Sequence, residues 1–128
     1  MHYEQIRHRT RAWLFHFFGN EQRAFDEYSI AFRFGADVKI ARNLGFIATH
    51  KKLLNEGVYW FSEATKLDPN NAETWFNLGF SLERNSQHRE AVDALAESGR
   101  LNPNLDRAWY GMALSYAALG NHTGAAAA

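Results

Sequence analysis

The sequence predicts an all-α chain of stacked helix hairpins, and three observations lead there. Small residues recur with one stride: Ala12, Gly45, Gly79 and Ala113 are separated by 33, 34 and 34 positions. Two stretches, "ETWFNLGFSL" at 73–82 and "DRAWYGMALSY" at 106–116, repeat a tryptophan, an aromatic neighbour, a Leu/Met-plus-small pair and a serine at that stride. The chain's two prolines, Pro69 and Pro103, also sit 34 apart. A catalytic motif has no reason to recur at fixed spacing, whereas a unit that must bury one face against its neighbour does.

Further columns keep the register. Ala24, Gly57, Ala91 and Ala125 form a second small column, and Ala31, Ala64 and Ser98 a third. Tyr28, Phe61 and Leu95 form a bulky one, as do Phe34, Leu67 and Leu101. Within a unit, Trp75, Leu78, Gly79 and Leu82 fall at i, i+3, i+4 and i+7, one face of a helix. Ala91, Leu95, Ser98 and Leu101 mark a second helix. The short polar "RNSQH" between them makes the two helices antiparallel neighbours.

"LDPN" at 67–70 and "LNPN" at 101–104 end each unit, because proline cannot continue a helix and disfavours helical geometry before it. The polar "NNAE" and "NLDR" that follow suit the caps of the next helices. One helical domain, 1–128, then divides into units at about 5–37, 38–71 and 72–105, with a partial unit at 106–128 turning at "GNH". A mid-helix glycine costs about 1 kcal/mol against alanine. Gly45 and Gly79 are therefore expected to meet a small residue of the paired helix, Gly57 or Ala91, with Trp75 and Trp109 buried beside the contact.

Composition narrows the function. Fourteen basic and fourteen acidic residues cancel, which speaks against nucleic acid or a membrane surface as the partner. The balance hides a mild asymmetry: residues 1–58 hold nine Lys/Arg against six Asp/Glu, and residues 59–128 hold five against eight. With no cysteine, disulfides, thiolate catalysis and Cys-based zinc sites are excluded, and a reducing, cytoplasmic location is expected. "WLFHFF" is the longest apolar-looking run near the start and is too short to cross a bilayer. The histidines at 2, 8, 16, 50, 88 and 122 show no metal-ligand spacing, and Ser86, His88 and Asp93 cluster as loop and cap residues rather than as a nucleophile triad. No enzyme activity, cofactor or metal is expected.

"W-F-N-L-G-F-S-L" followed by Ala91, Leu95, Ser98 and Pro103 resembles the tetratricopeptide repeat, W-x2-L-G-x2-Y, then A-x3-F, then P. Residues 72–105 match most closely. In 38–71, Leu44, Gly45, Phe61, Ala64 and Pro69 fit, but Ala41 stands at the tryptophan site. In 106–128, Trp109, Met112, Ala113 and Tyr116 fit. The first unit departs furthest, with His8 and Arg11 at the tryptophan and leucine sites. The resemblance implies a right-handed superhelical solenoid of about 3.5 repeats, whose inner wall comes mainly from the first helix of each unit.

One step beyond the core stripe, at about 100° of rotation per residue, lie the side chains expected to line that wall. They are Ile6, Arg9, Trp13 and His16; Lys39, Arg42, Phe46 and Thr49; Glu73, Phe76, Phe80 and Glu83; Arg107, Tyr110 and Leu114. Asn43 and Asn77 stand where peptide-holding members of the family place a backbone-bonding asparagine. From these, Arg9, Trp13, Lys39, Arg42, Asn43, Phe46, Phe76, Asn77, Phe80, Arg107 and Tyr110 are the expected peptide-binding residues. The partner they suit is a protein or peptide, an extended or helical segment held in the concave groove, with carboxylates for the guanidinium groups and apolar anchors for the aromatics. Arg42, Asn77 and Arg107 partly resemble the family's two-carboxylate clamp, but Phe46 and Gly111 depart from it. Two other readings stand beside this one: homo-oligomerisation through uncovered apolar ends such as "WLFHFF", and a scaffolding N-terminal part of a larger protein.

Overall fold

A computed structural model describes residues 2–127 of the chain, with the side chains of 3–120. Every regular element among the described residues is an α-helix: α1 (His2–Phe17), α2 (Glu21–Phe34), α3 (Val38–His50), α4 (Leu54–Leu67), α5 (Ala72–Arg84), α6 (His88–Leu101) and α7 (Asp106–Ala127). Side-chain caps set several starts. Asn20 Oδ1 accepts from the Arg23 amide at 3.2 Å, Asp37 Oδ1 from the Lys39 amide at 2.7 Å, and Asn71 Oδ1 from the Thr74 amide at 3.2 Å.

The hairpin turns share one construction. Gly19, Lys52 and Ser86 have φ of 81°, 62° and 60°, the left-handed conformation that closes a helix. The amide after each reaches back to a carbonyl five residues earlier: Asn20 to Phe15 at 2.8 Å, Leu53 to Ala48 at 2.8 Å and Gln87 to Leu82 at 2.9 Å. These three residues follow the same 33 and 34 spacing as the small columns, and Gly120 is the next position in the series. There α7 runs straight on, so the turn expected at "GNH" does not form. The residues that follow, "TGAAAA", are alanine-rich, with high helix propensity and no bulky apolar group to offset a break. Ala113 is accordingly exposed rather than packed, and the side chains of His122 and Ala125, like that of His2, lie outside the described residues.

Two compact units emerge, Met1–Leu67 and Asp68–Ala128. The first unit's core gathers Ala12, Ala24, Tyr28, Ala31, Ile40, Leu44 and Ile47, with Phe15, Phe25, Phe32 and Trp60 packed against it. In the second, Leu78 and Leu82 of α5 are buried, as are Ala91, Val92, Ala94 and Leu95 of α6. Ser98 Oγ donates to the Ala72 carbonyl at 2.8 Å, tying α6 to the start of α5.

The glycines at 45 and 79 meet large neighbours first. A Cβ at Gly45 would lie 2.8 Å from the Phe61 ring, and one at Gly79 would lie 2.6 Å from Leu95 Cγ. A Cβ at Gly57 would lie 2.8 Å from Thr49 Oγ1 and 3.9 Å from the Gly45 carbonyl oxygen, so the expected approach of Gly57 to Gly45 is present. The expectation for Gly79 is corrected: its nearest neighbour is Leu95 rather than Ala91, and glycine makes room for the bulky column of the paired helix. Burial of the indoles is corrected too. Trp75 is half-buried and Trp109 is 47% exposed, its ring lying against Gly99.

In the first hairpin a polar cluster replaces the tryptophan. His8 is buried, stacks on Phe34 at 5.8 Å, and its Nδ1 lies 2.5 Å from Glu27 Oε2 of α2. Arg11 Nη2 approaches the other oxygen of Glu27 at 3.2 Å.

Candidate functional site

In the first unit α1, α2 and α3 enclose a concavity of about 410 Å³ lined by Arg9, Thr10, Trp13, Tyr28, Lys39 and Asn43. Arg9 and Trp13 are one turn apart on α1, and Lys39 and Asn43 one turn apart on α3, so each helix presents a cation and a second contact group. Burial pushes the Tyr28 phenol above its ordinary 10.0, and the nearby positive charge of Arg9 offsets part of that rise. Among the described residues no carboxylate lines the concavity, and neither Arg9 nor Lys39 has an ion-pair partner. Trp13 is 56% exposed and stacks on Phe17 at 5.4 Å.

Four expected site residues, Arg9, Trp13, Lys39 and Asn43, therefore converge, and two more join them. Thr10 was legible as the first-unit member of the column that holds Asn43 and Asn77. Tyr28 belongs to the bulky column, and its burial hides the fact that it also lines the concavity. Arg42 is half-buried and Phe46 is exposed, its ring edge-to-face with Phe61 at 5.2 Å. Thr49 does not belong to an open wall: its Oγ1 is buried against Gly57 without a hydrogen-bond partner among the described residues.

The second unit carries a ladder of rings and cations. Arg107 of α7 lies over the Phe76 ring at 4.7 Å, Phe76 stacks on Phe80 at 6.1 Å, and Arg84 lies over Phe80 at 5.7 Å. Arg107 is also engaged at its edge, where Nη2 donates to Glu73 Oε1 at 2.6 Å. Tyr110 is exposed, and Asn77 half-buried.

Glu83, also expected on the wall, is committed elsewhere. Its Oε2 accepts from Ser115 Oγ at 2.7 Å and pairs with His88 Nδ1 at 2.8 Å, joining α5, α6 and α7. Burial alone would raise its pKa, but those hydrogen bonds and the His88 charge outweigh it and hold the carboxyl below the usual 4.5.

A second, shallower concavity of about 580 Å³ lies between α5 and α6, with Trp75, Leu78 and Leu82 in its lining and Glu90, Asp93, Glu97 and Arg100 around them. Among the described residues no group of three or more His, Cys, Asp or Glu side chains is placed to hold a metal ion. No helix among them is long and apolar enough to cross a membrane.

Residues 60–93 match the model of the tetratricopeptide repeat family. No curated protein matches the sequence. Among solved structures, MamA superposes with a TM-score of 0.81 at 23% identity, over 87% of this chain and 66% of that one. YrrB, described as a TPR protein with an unusual peptide-binding site, superposes with a TM-score of 0.77 at 21% identity, over 86% of this chain and 57% of that one. The first TPR of Spaghetti (RPAP3), bound to the HSP90 peptide SRMEEVD, gives 0.79 at 14% identity, over 91% of this chain and 94% of that one. The chain thus spans less than two thirds of the MamA and YrrB chains.

Proposed function

We propose, from the premise that this chain has the tetratricopeptide fold, that it is a non-catalytic protein-interaction module that holds a segment of a partner protein. The segment is extended, acidic and furnished with apolar anchors. One observation carries the reading: the 410 Å³ concavity of the first unit combines an amide and a half-exposed indole with two cations that have no ion-pair partner among the described residues, and no acid among those residues lines it. A guanidinium binds a carboxylate bidentately, an asparagine side chain can bond a peptide's backbone on both its donor and acceptor sides, and an indole gives a desolvated anchor. Two proteins of this fold lend support, YrrB with its peptide-binding site and RPAP3 with a bound peptide containing Glu-Glu-Val-Asp. The departures at Phe46 and Gly111, and the engagement of Arg107 by Glu73, set this chain apart from a two-carboxylate clamp. We place the module in the cytoplasm, where a cysteine-free chain forgoes no disulfide.

The test is affinity capture from the native cell extract, followed by titration of the captured partner against wild type and an Arg9→Glu, Lys39→Glu variant in low salt. The variant is expected to lose at least about tenfold in affinity, since two short charge contacts are reversed. Unchanged affinity would sink the reading.

A second reading rests on α1. Trp13, Phe17 and the adjoining Phe18 are all more than half exposed; Trp13 stacks on Phe17 at 5.4 Å and Phe17 meets Phe18 edge-to-face at 5.2 Å. An apolar patch of that kind suits self-association. A concentration series by light scattering separates the two readings, because a strict monomer leaves only partner binding.

A further inference from the structure

Arg107 was the second unit's expected carboxylate binder, and the structure shows a carboxylate already there. Glu73, in the first turn of α5, accepts from Arg107 Nη2 at 2.6 Å, while the Phe76 ring covers one face of the guanidinium at 4.7 Å. Both partners of the pair remain more than half exposed, so the contact is open to exchange with solvent and with ligands. The surroundings add to the effect: residues 68–128 carry four Arg against seven Asp/Glu, and Arg100 is likewise engaged, by Glu97.

We infer that Glu73 is a specificity-determining residue, an internal competitor that occupies Arg107 and reserves the Phe76 end of the ladder for neutral apolar side chains of a partner. The inference rests on the interaction-module reading and assigns the partner's carboxylates to groups other than Arg107. An incoming carboxylate at Arg107 must displace Glu73 or share the guanidinium with it, and in either case faces its repulsion, which leaves little net gain. An apolar side chain meets the rings without disturbing the pair. Removing the Glu73 charge frees the guanidinium while Phe76 still holds it flat, so a rejecting surface becomes an anion-binding one.

The experiment uses the full chain and an acetylated, amidated tetraglutamate peptide, with tetraglutamine as the neutral control. The side-chain Nε–Hε signal of Arg107 and the indole signal of Trp13 are followed by NMR in wild type, Glu73→Gln and Glu73→Gln/Arg107→Gln. In wild type the tetraglutamate is expected to move Trp13 and leave Arg107 in place. In Glu73→Gln the Arg107 signal should titrate, with overall affinity rising about two- to fivefold, the range a surface ion pair spans. Tetraglutamine should give no gain, and the double variant should lose it. Failure of Glu73→Gln to gain affinity, or a weakening, overturns the inference and makes Glu73 an aligner of Arg107 instead. Titration of Arg107 in wild type overturns it as well. The broader reading fails separately: Trp13 would then stay silent in every variant, whatever Arg107 does.

Discussion

The indole of Trp75 donates from Nε1 to the carbonyl oxygen of Pro69 at 2.7 Å, and Trp109 repeats the bond to Pro103 at 3.0 Å. The two recurring residue types of the sequence are thus two ends of one device, six residues apart. Proline stops the preceding helix, and the tryptophan of the next helix reaches back to hold the resulting bend.

Because Trp75 is half-buried, its removal should cost less than the 3–5 kcal/mol typical of a fully buried tryptophan. Trp75→Ala is expected to destabilise by about 2–3 kcal/mol, and Trp75→Phe by about 1 kcal/mol, near the worth of one hydrogen bond. Urea unfolding followed by circular dichroism checks both, and a loss for Trp75→Ala within 0.5 kcal/mol, as at a surface site, would contradict the device.

Gly79 offers a sharper test. Alanine favours a helix by about 1 kcal/mol over glycine, yet its Cβ would sit 2.6 Å from Leu95 Cγ and 3.3 Å from the Leu95 amide nitrogen. Overpacking of this kind costs about 1–3 kcal/mol, so Gly79→Ala is expected to be net destabilising. In a Leu95→Ala background the same change should become neutral or favourable. Strict additivity of the two substitutions in a double-mutant cycle would rule the contact out.

These cases show what the sequence made legible. Periodicity reported which positions are small and which are large, and the hairpins, turns and caps followed from it. It did not report which large residue a glycine accommodates, because every column shares the same stride and pairing depends on helix rotation. The candidate site was partly legible for the same reason. Rotation placed Arg9, Trp13 and Lys39 on an accessible face, but the capture of Arg107 by Glu73 is a relation between side chains 34 residues apart that no single-helix argument reaches. The turn expected at "GNH" failed because a repeat position specifies where a turn fits, whereas a turn forms only if a packed second helix offsets the broken helix.

Acid should loosen the second unit through Glu83. Its folded pKa lies below the usual 4.5, so its contribution is fully present above that value and is lost as pH falls through the folded one. The stability difference between wild type and Glu83→Gln should therefore shrink as pH falls below about 5. Ser115→Ala removes one of the hydrogen bonds that depress the pKa and should reduce the acid-sensitive part. A difference that grew below about pH 5 would reverse the assignment.

The last prediction concerns one register position filled in three ways. His8 of α1 and Glu27 of α2 occupy the columns held by Ala41 and Trp60 in the next hairpin, and by Trp75 and Ala94 in the one after. In the second hairpin the bulk has moved to the second helix, where Trp60 packs on the first unit's core, edge-to-face with Phe32 at 5.1 Å. In the first hairpin a hydrogen-bonded polar pair stands in place of the indole, and it is well buried: Glu27 is 13% exposed and takes contacts from both His8 and Arg11. Breaking such a pair from one side strands the other, so Glu27→Ala is expected to cost about 2–4 kcal/mol. His8→Trp/Glu27→Ala, which installs the arrangement of the third hairpin, should recover most of that loss by replacing two desolvated polar groups with an indole against a methyl. Thermal unfolding of the two variants decides the matter. If the double variant is no more stable than Glu27→Ala, the columns do not share a common geometry and the first hairpin is packed on different terms from the other two.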